Sequence, residues 1–444
     1  DGFANAIAEL EAEADSLQSP AKEILQSQLG QLYENYLSQN YWTIKDRTST
    51  GELKGAEIQT WSTDQLLDRA QELYLTSVAN KSLQRIAVSD FKAILTPAPG
   101  TEALRPTLYD VLVHRCIEFL NNDRSYLNEP ANRFYLDQAT AFAPVETFVQ
   151  TAFVASDSSS LKFKAVLVYQ DLLRFRLKAN DKTALLDADR FRLEFAQQNS
   201  VHPEKSQLYL EALQAAKTYY TGAKNVADLW ALEAFYFFEQ GGEYNRDADV
   251  DGTDPVRWYY KKAHELSQKV IKEFPKDAWG VQKCRQLIQQ IEARDFSVQV
   301  EEVTLPFKAG LVQIGYRNTS KLYFKLTRMT EDRIEELQQV PQHKEDALRK
   351  YLKKLPSHRQ WTVDLPKETD YRGHNTETLI EPLEPGTYLL VGSDVEDFGK
   401  GGNAGYVILN VSNLGYWNRM DSNERQQFVF YDRTTGSPKD MMTA

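Results

Sequence analysis

Apolar residues recur at three- and four-residue steps along the first two thirds of the chain. Along the last third they recur at two-residue steps. Leu25, Leu29, Leu32, Tyr36 and Leu37 mark one helical stripe, and Ser19-Pro20 supplies its cap and first-turn proline. Thr63 or Asp64 opens a second helix carrying Leu66, Leu67, Ala70, Leu73 and Tyr74. The run Pro97-Ala98-Pro99-Gly100 breaks the pattern, and Leu108 to Leu120 resumes it.

From about residue 160 the predicted helices come as pairs. Leu208, Ala212, Ala216 and Tyr219 answer Ala227, Trp230, Ala231, Ala234 and Phe238. Tyr259, Ala263, Leu266, Val270 and Phe274 answer Val281, Cys284, Ile288 and Ile291. A helix hairpin cannot bury its apolar face alone, so stacked pairs are expected. The large–small alternation of Trp, Tyr, Phe and Ala resembles tetratricopeptide packing, with irregular spacing and without that repeat's Trp-Leu-Gly signature. At Asp295 the period switches from 3.6 to 2. Phe296, Val298 and Val300 form one alternating run, Val312, Ile314 and Tyr316 a second, and Leu322, Phe324 and Leu326 a third after the turn Asn318-Thr319-Ser320. A helical interruption is predicted over 331–355, bent near Pro341. Strands return at Trp361 to Leu365, Thr387 to Val391, Tyr406 to Val411 and Gln427 to Tyr431. The expected fold class is therefore α+β and multidomain. A helical-repeat array over 1–295, with two subdomains split near 155, precedes an antiparallel β-sandwich over 296–412. Residues 413–444 read as the start of a further β domain.

Composition narrows the functional classes. The chain has 444 residues, 42% hydrophobic and 26% charged, the balance of an ordinary globular protein. Its formal net charge of −11 disfavours nucleic acid and anionic lipid. The most basic stretch, Lys344 to Lys354, includes Glu345 and Asp346 and reads as a mixed solvated face. No window approaches the ~20 apolar residues of a membrane span. Asp1-Gly2-Phe3 opens directly into polar helix, which reads as a mature boundary behind a removed leader. The end, Asp440 to Ala444, reads as a cut chain. Cys116 and Cys284 sit among apolar helical neighbours and read as small buried residues.

Candidate chemistry is sparse. Asp247, Asp249 and Asp251, followed by Gly252, match the first half of a calcium loop, in which alternating carboxylates converge on a hard cation. The position that should hold a bidentate glutamate is Trp258, so a solvated acidic loop is the favoured reading and no metal, cofactor or catalytic residue is assigned. Gly399 to Gly405 lacks a Gly-Lys-Ser/Thr run leading into a helix and reads as a hairpin loop. Asp157-Ser158-Ser159-Ser160 reads as a linker with a helix cap. His114, His202, His264, His343, His358 and His374 are scattered, with no His-Glu-x-x-His or Gly-x-Ser-x-Gly pattern. Nothing assembles a nucleophile, base and oxyanion donor, so the expectation is a protein that is not an enzyme.

Four segments carry a family resemblance. Tyr316-Arg317-Asn318 with Leu322 to Leu326, Leu383-Glu384-Pro385-Gly386-Thr387-Tyr388, Phe428 to Pro438, and upstream Tyr41 to Thr48 resemble, in that spacing, the front end of bacterial (Bacteroides-type) alpha-2-macroglobulins. The resemblance implies a sandwich of macroglobulin type and an extracytoplasmic protein, periplasmic or at the cell surface, with a lipid anchor as an option. It implies protease trapping, an endopeptidase-inhibitor role, with proteases and downstream macroglobulin domains as partners of the full-length parent. Bait and thioester regions would lie beyond residue 444. Cys-Gly-Glu-Gln is absent, since Cys116 precedes Ile-Glu-Phe and Cys284 precedes Arg-Gln-Leu, so no functional residue carries over. The alternative is a surface adaptor or nutrient-uptake lipoprotein whose helical array docks proteins or peptides.

Overall fold

The structure, a computed structural model, describes residues 2–45, 47, 58–95, 100–122, 134–155, 160–341, 344–399, 401–420 and 426–439. The break at Pro97 to Pro99, the Asp157 to Ser159 linker, Asp46, Thr48, His343, Lys400 and the end Asp440 to Ala444 lie outside the described residues. The chain is α+β. Helices run to Glu292 and strands begin at Asp295, where the hydrophobic period changes. It divides into two compact units, Asp1–Tyr236 with Val270–Lys283, and Phe237–Lys269 with Cys284–Ala444.

The helical region comprises α1 (Gly2–Ser16), α2 (Ala21–Ile44), α3 (Thr63–Ser77), α4 (Leu108–Asn121), α5 (Val145–Phe148), α6 (Leu161–Ala179), α7 (Lys182–Asn199), α8 (Lys205–Tyr219), α9 (Ala227–Gly242), α10 (Tyr259–Glu273) and α11 (Trp279–Glu292). Caps follow the local chemistry. Ser62 and Gln65 form a reciprocal capping box on α3, one residue ahead of the expected start, and Thr107 and Asp110 form another on α4. Ser19 does not cap α2. Its hydroxyl accepts from Asn80 Nδ2 at 3.0 Å, and Pro20 occupies the cap position. The α2 stripe is also rotated from the expected one. Leu25 and Leu32 are half-buried, whereas Gln26, Ser27, Leu29 and Tyr33 are buried. Arg115 gives buried Ser27 its partner: the guanidinium donates to Ser27 Oγ at 2.8 Å and to Gln31 Oε1 at 3.0 Å.

Several charges in the interior of the first unit are paired, which offsets the cost of burying them. Arg176 Nε donates to Asp110 Oδ1 at 2.7 Å. Asp187 receives Arg105 at 3.1 Å and Arg190 at 3.4 Å. Asp189 receives Arg192 Nε at 2.9 Å and the Tyr220 hydroxyl at 2.9 Å. His114 lies 3.6 Å from Asp187, but burial, reinforced by Arg105, Arg190 and Arg176, holds its imidazole well below the usual range.

In the second unit β1 (Asp295–Val300), β3 (Gly310–Arg317) and β6 (His374–Ile380) form an antiparallel sheet in the order β1-β3-β6. The strands β2 (Val303–Thr304), β4 (Lys321–Arg328), β5 (Arg359–Asp364), β7 (Gly386–Ser393) and β8 (Ala404–Val411) form a mixed sheet in the order β2-β8-β7-β4-β5, with β2 parallel to β8. The turn at Asn318, left-handed at φ 54°, carries the chain from one sheet to the other, and its side-chain amide donates to the carbonyls of Ile291 and Ala293 at 2.7 and 3.0 Å. Inward residues of both sheets, among them Val312, Ile314, Leu322, Phe324, Tyr388 and Leu390, share one core.

Period-2 alternation then leaves Leu389 and Val391 on the other face of β7. They are covered by Leu337 of α12 (Glu331–Gln339) and Leu352 of α13 (Glu345–Lys354), which explains the helical insertion. Buried Lys325 of β4 donates to the carbonyls of Leu352 at 2.6 Å and Leu355 at 3.4 Å, closing the end of α13. Finally, β9 (Leu414–Met420) and β10 (Gln426–Asp432) pair as a separate two-stranded sheet.

Candidate functional site

The acidic loop between α9 and α10 is organised around one carboxylate. Asp249 accepts from the Tyr244 hydroxyl at 2.8 Å and, on its other oxygen, from the Asp254 amide at 3.0 Å. These bonds, the Asp254 amide first, hold its carboxyl below the ordinary range. Asp247 and Asp251 are exposed. A cation would therefore meet two solvated carboxylates and a third already serving the turn.

The glycine-rich loop joins β7 to β8. There the carbonyls of Gly399 and Gly402 accept from the Arg349 guanidinium. A phosphate cradle needs the opposite polarity, with amides pointing inward. Both cysteines are free and buried, and burial pushes the Cys116 thiol up to about 12 and the Cys284 thiol to about 11. Neither offers a thiolate nucleophile.

The segment between β5 and β6 makes a constellation the sequence did not announce. Among the described residues, Glu368, Asp370 and His374 bring one ligand atom each within 4.8 Å of one another. Asp370 and His374 are buried and Glu368 is exposed. Arg246 Nη2 lies 3.0 Å from His374 Nδ1, and a guanidinium can only donate, so Nδ1 accepts and the ring proton sits on Nε2. Nε2–H in turn donates to Asp370 Oδ1 at 2.8 Å. Asp370 also accepts from the Arg372 amide at 3.1 Å and from Arg257 Nε at 3.4 Å. Burial alone would raise this carboxyl, but the bonds from His374, the Arg372 amide and Arg257 outweigh it and hold it below the usual range.

No family model matches the chain, and no curated protein sequence matches it. Both ring nitrogens of His374 are occupied, and the surrounding arginines repel a cation, so the group fits an ion-pair network better than a metal centre.

Beside it, Arg372 acts as a clasp. Its guanidinium donates to the carbonyls of Gly241 at 2.8 Å, Val256 at 2.7 Å and Arg257 at 2.7 Å. It also lies 4.4 Å from the Tyr244 ring centre and 4.5 Å from that of Tyr260. The neighbouring Tyr371, at φ 59°, stacks on His264 with ring centres 4.7 Å apart. His264 Nε2 meets Glu292 Oε1 at 2.6 Å, and Nδ1 meets the Tyr371 hydroxyl at 3.3 Å. A carboxylate, an imidazole and a phenol in series could relay a proton. Burial, with Glu292 and Glu265 nearby, raises the Tyr371 phenol, which opposes its use as a nucleophile. These side chains border a polar cleft of about 790 Å³.

A second cleft, of about 710 Å³, lies in the first unit between α7, α8 and the turn leading into α5. Its walls include Phe142, Val145, Leu208, Ala212 and Ala215. Its floor is the Asp189–Arg192–Tyr220 group, with Arg192 also donating to the Ala141 carbonyl at 2.8 Å.

Of the residues singled out from the sequence, His264 and His374 fall in the polar cleft, whereas Asp247, Asp249 and Asp251 do not line it. Asp370, Tyr371 and Arg372 escaped notice because they sit in a loop with no hydrophobic period. The Asp370-x-x-x-His374 spacing was the one available signal.

Proposed function

We propose that this chain is a non-catalytic structural and interaction region of an extracytoplasmic, protease-trapping protein, resembling the front end of bacterial alpha-2-macroglobulins. In this reading the helices form a degenerate, tetratricopeptide-like array and the two sheets form a sandwich of macroglobulin type. The order of elements carries the proposal. A helical region gives way at Asp295 to two sheets around one core, and the segment Phe428 to Pro438 belongs to a hairpin outside both sheets. The histidine-centred groups lend support, since their ring nitrogens are committed to Arg246, Asp370, Glu292 and Tyr371. Proteases and further macroglobulin domains are the proposed partners.

The test mixes serine, cysteine and metalloproteases with this chain and, separately, with the longer protein this reading requires. The chain alone should leave cleavage of protein substrates unchanged. The longer protein should suppress cleavage of large substrates and spare small peptides, because a trapped protease stays chemically competent. Potent inhibition by the chain alone, or equal loss on large and small substrates, overturns the proposal.

A further inference from the structure

We propose that the apolar cleft of the first unit docks a peptide segment that presents an aliphatic or aromatic side chain beside a basic one. This inference stands independently of the protease-trap reading. The cleft's 710 Å³ falls within the range of ligand-binding clefts, roughly 300–1,000 Å³. Its room comes from Ala212, Ala215 and Ala216, whose methyl groups leave open the space that larger side chains on α8 would fill. Its floor is held in place before anything binds. Arg192 ties Asp189 to the Ala141 carbonyl beneath one wall, and the Tyr220 hydroxyl ties Asp189 to the end of the other. A preorganised floor lowers the ordering cost of binding.

Charge selects the occupant. The charged groups lining the cleft are Glu146, Asp189, Glu211 and Arg192. Asp189 and Arg192 neutralise each other, so the cleft presents the carboxylates of Glu146 from α5 and Glu211 from α8. Both are exposed and able to meet a lysine or arginine. Glu146 also accepts from the Tyr219 hydroxyl, and burial followed by this bond pushes the Tyr219 phenol up to about 12. An apolar slot with two carboxylates rejects acidic peptides and favours basic ones, an effect the net charge of −11 extends to longer range at low salt.

The full chain is titrated into two fluorescein-labelled peptides, one alternating leucine with lysine and one alternating leucine with glutamate, and anisotropy is recorded. The lysine peptide should bind saturably in the micromolar range, at least about tenfold tighter than the glutamate peptide, and more weakly as salt rises. Glu211→Gln should weaken it about two- to fivefold, the range of an exposed ion pair. Ala215→Trp fills the slot from an exposed position and should abolish binding while the circular dichroism spectrum and melting temperature stay those of the wild type. If that variant does not fold, Glu146→Gln/Glu211→Gln replaces it, with an expected loss of about tenfold. Absence of saturable binding, equal binding of the two peptides, undiminished binding by folded Ala215→Trp, or undiminished binding by the double variant overturns the proposal.

Discussion

Replacing Arg372 by alanine removes three hydrogen bonds and two ring contacts in one step. The guanidinium reaches the carbonyls of Gly241, Val256 and Arg257 at 2.7–2.8 Å and lies 4.4 and 4.5 Å from two tyrosine rings. A hydrogen bond from a charged donor contributes about 1.5–3 kcal/mol net, and an exposed cation–π contact about 0.5–1 kcal/mol. Arg372 is half-buried, so water can reach part of what is vacated, and contributions that share one side chain do not add. The expected loss is about 3 kcal/mol for Arg372→Ala. Arg372→Lys should lose about 2 kcal/mol, because an ammonium keeps the charge without the planar fork that meets three carbonyls. The chain has two units, so global unfolding is a poor readout. Amide hydrogen exchange over 241–257 and 365–373 reports the local opening directly. The alanine variant should exchange faster in both segments together. A change below about 0.5 kcal/mol, or faster exchange in one segment alone, would refute the clasp.

Three further outcomes are expected. Gly280→Ala should destabilise the first unit by about 1–3 kcal/mol, because a Cβ there would lie 2.3 Å from the Ala227 carbonyl oxygen; unchanged amide hydrogen exchange over 227–236 and 279–283 would contradict that packing. Asp228 accepts from the Gly280 amide at 3.0 Å, and burial, partly offset by Arg190 and that amide, raises its carboxyl to about 6. A folded-state value above the unfolded one means that the folded state binds the proton more tightly below pH 6. Asp228 therefore opposes folding progressively as pH rises from about 4 to about 6, by an amount on the order of 3 kcal/mol. Asp228→Asn should be more stable than wild type at pH 7 and nearly equal at pH 4, and parallel stability curves for the two would rule this out. Calorimetric titration of calcium should show no binding tighter than millimolar. Micromolar binding lost in Asp249→Ala would reverse the account of the acidic loop.

Hydrophobic period is a local property, and local properties were legible. The change from 3.6 to 2 at Asp295 comes from side chains a few residues apart, and the first strand begins there. The hairpin around Gly399 to Gly405 and the turn at Asn318 likewise follow from the residues that form them. The strand β6 was not anticipated, because its inward positions include His374, Thr376 and Thr378, and polar residues give no alternation. For β9 the reason differs: Tyr416, Trp417 and Met420 are all exposed, so neither face is marked as inner. The helix α9 shows the limit of a stripe. Leu229, Ala231, Leu232, Ala234, Tyr236 and Phe237 are all buried, while Trp230 and Phe238, expected on its inner stripe, are half-buried.

The clearest division concerns charge. Asp187, Asp189, Arg190 and Arg192 on α7 look like the solvated i,i+3 pairs of a surface helix, yet all four are buried. Nothing in their spacing foretells it, because burial is decided by partners far along the chain, such as Arg105, Ala141 and Tyr220. The same holds for the clasp at Arg372, whose acceptors lie more than a hundred residues away. The sequence alone determined where the main helices lie and that strand takes over at Asp295, since period and capping act within a turn or two. The tertiary structure alone decided which polar groups leave water. That outcome depends on whether distant donors and acceptors arrive in geometry good enough to offset desolvation.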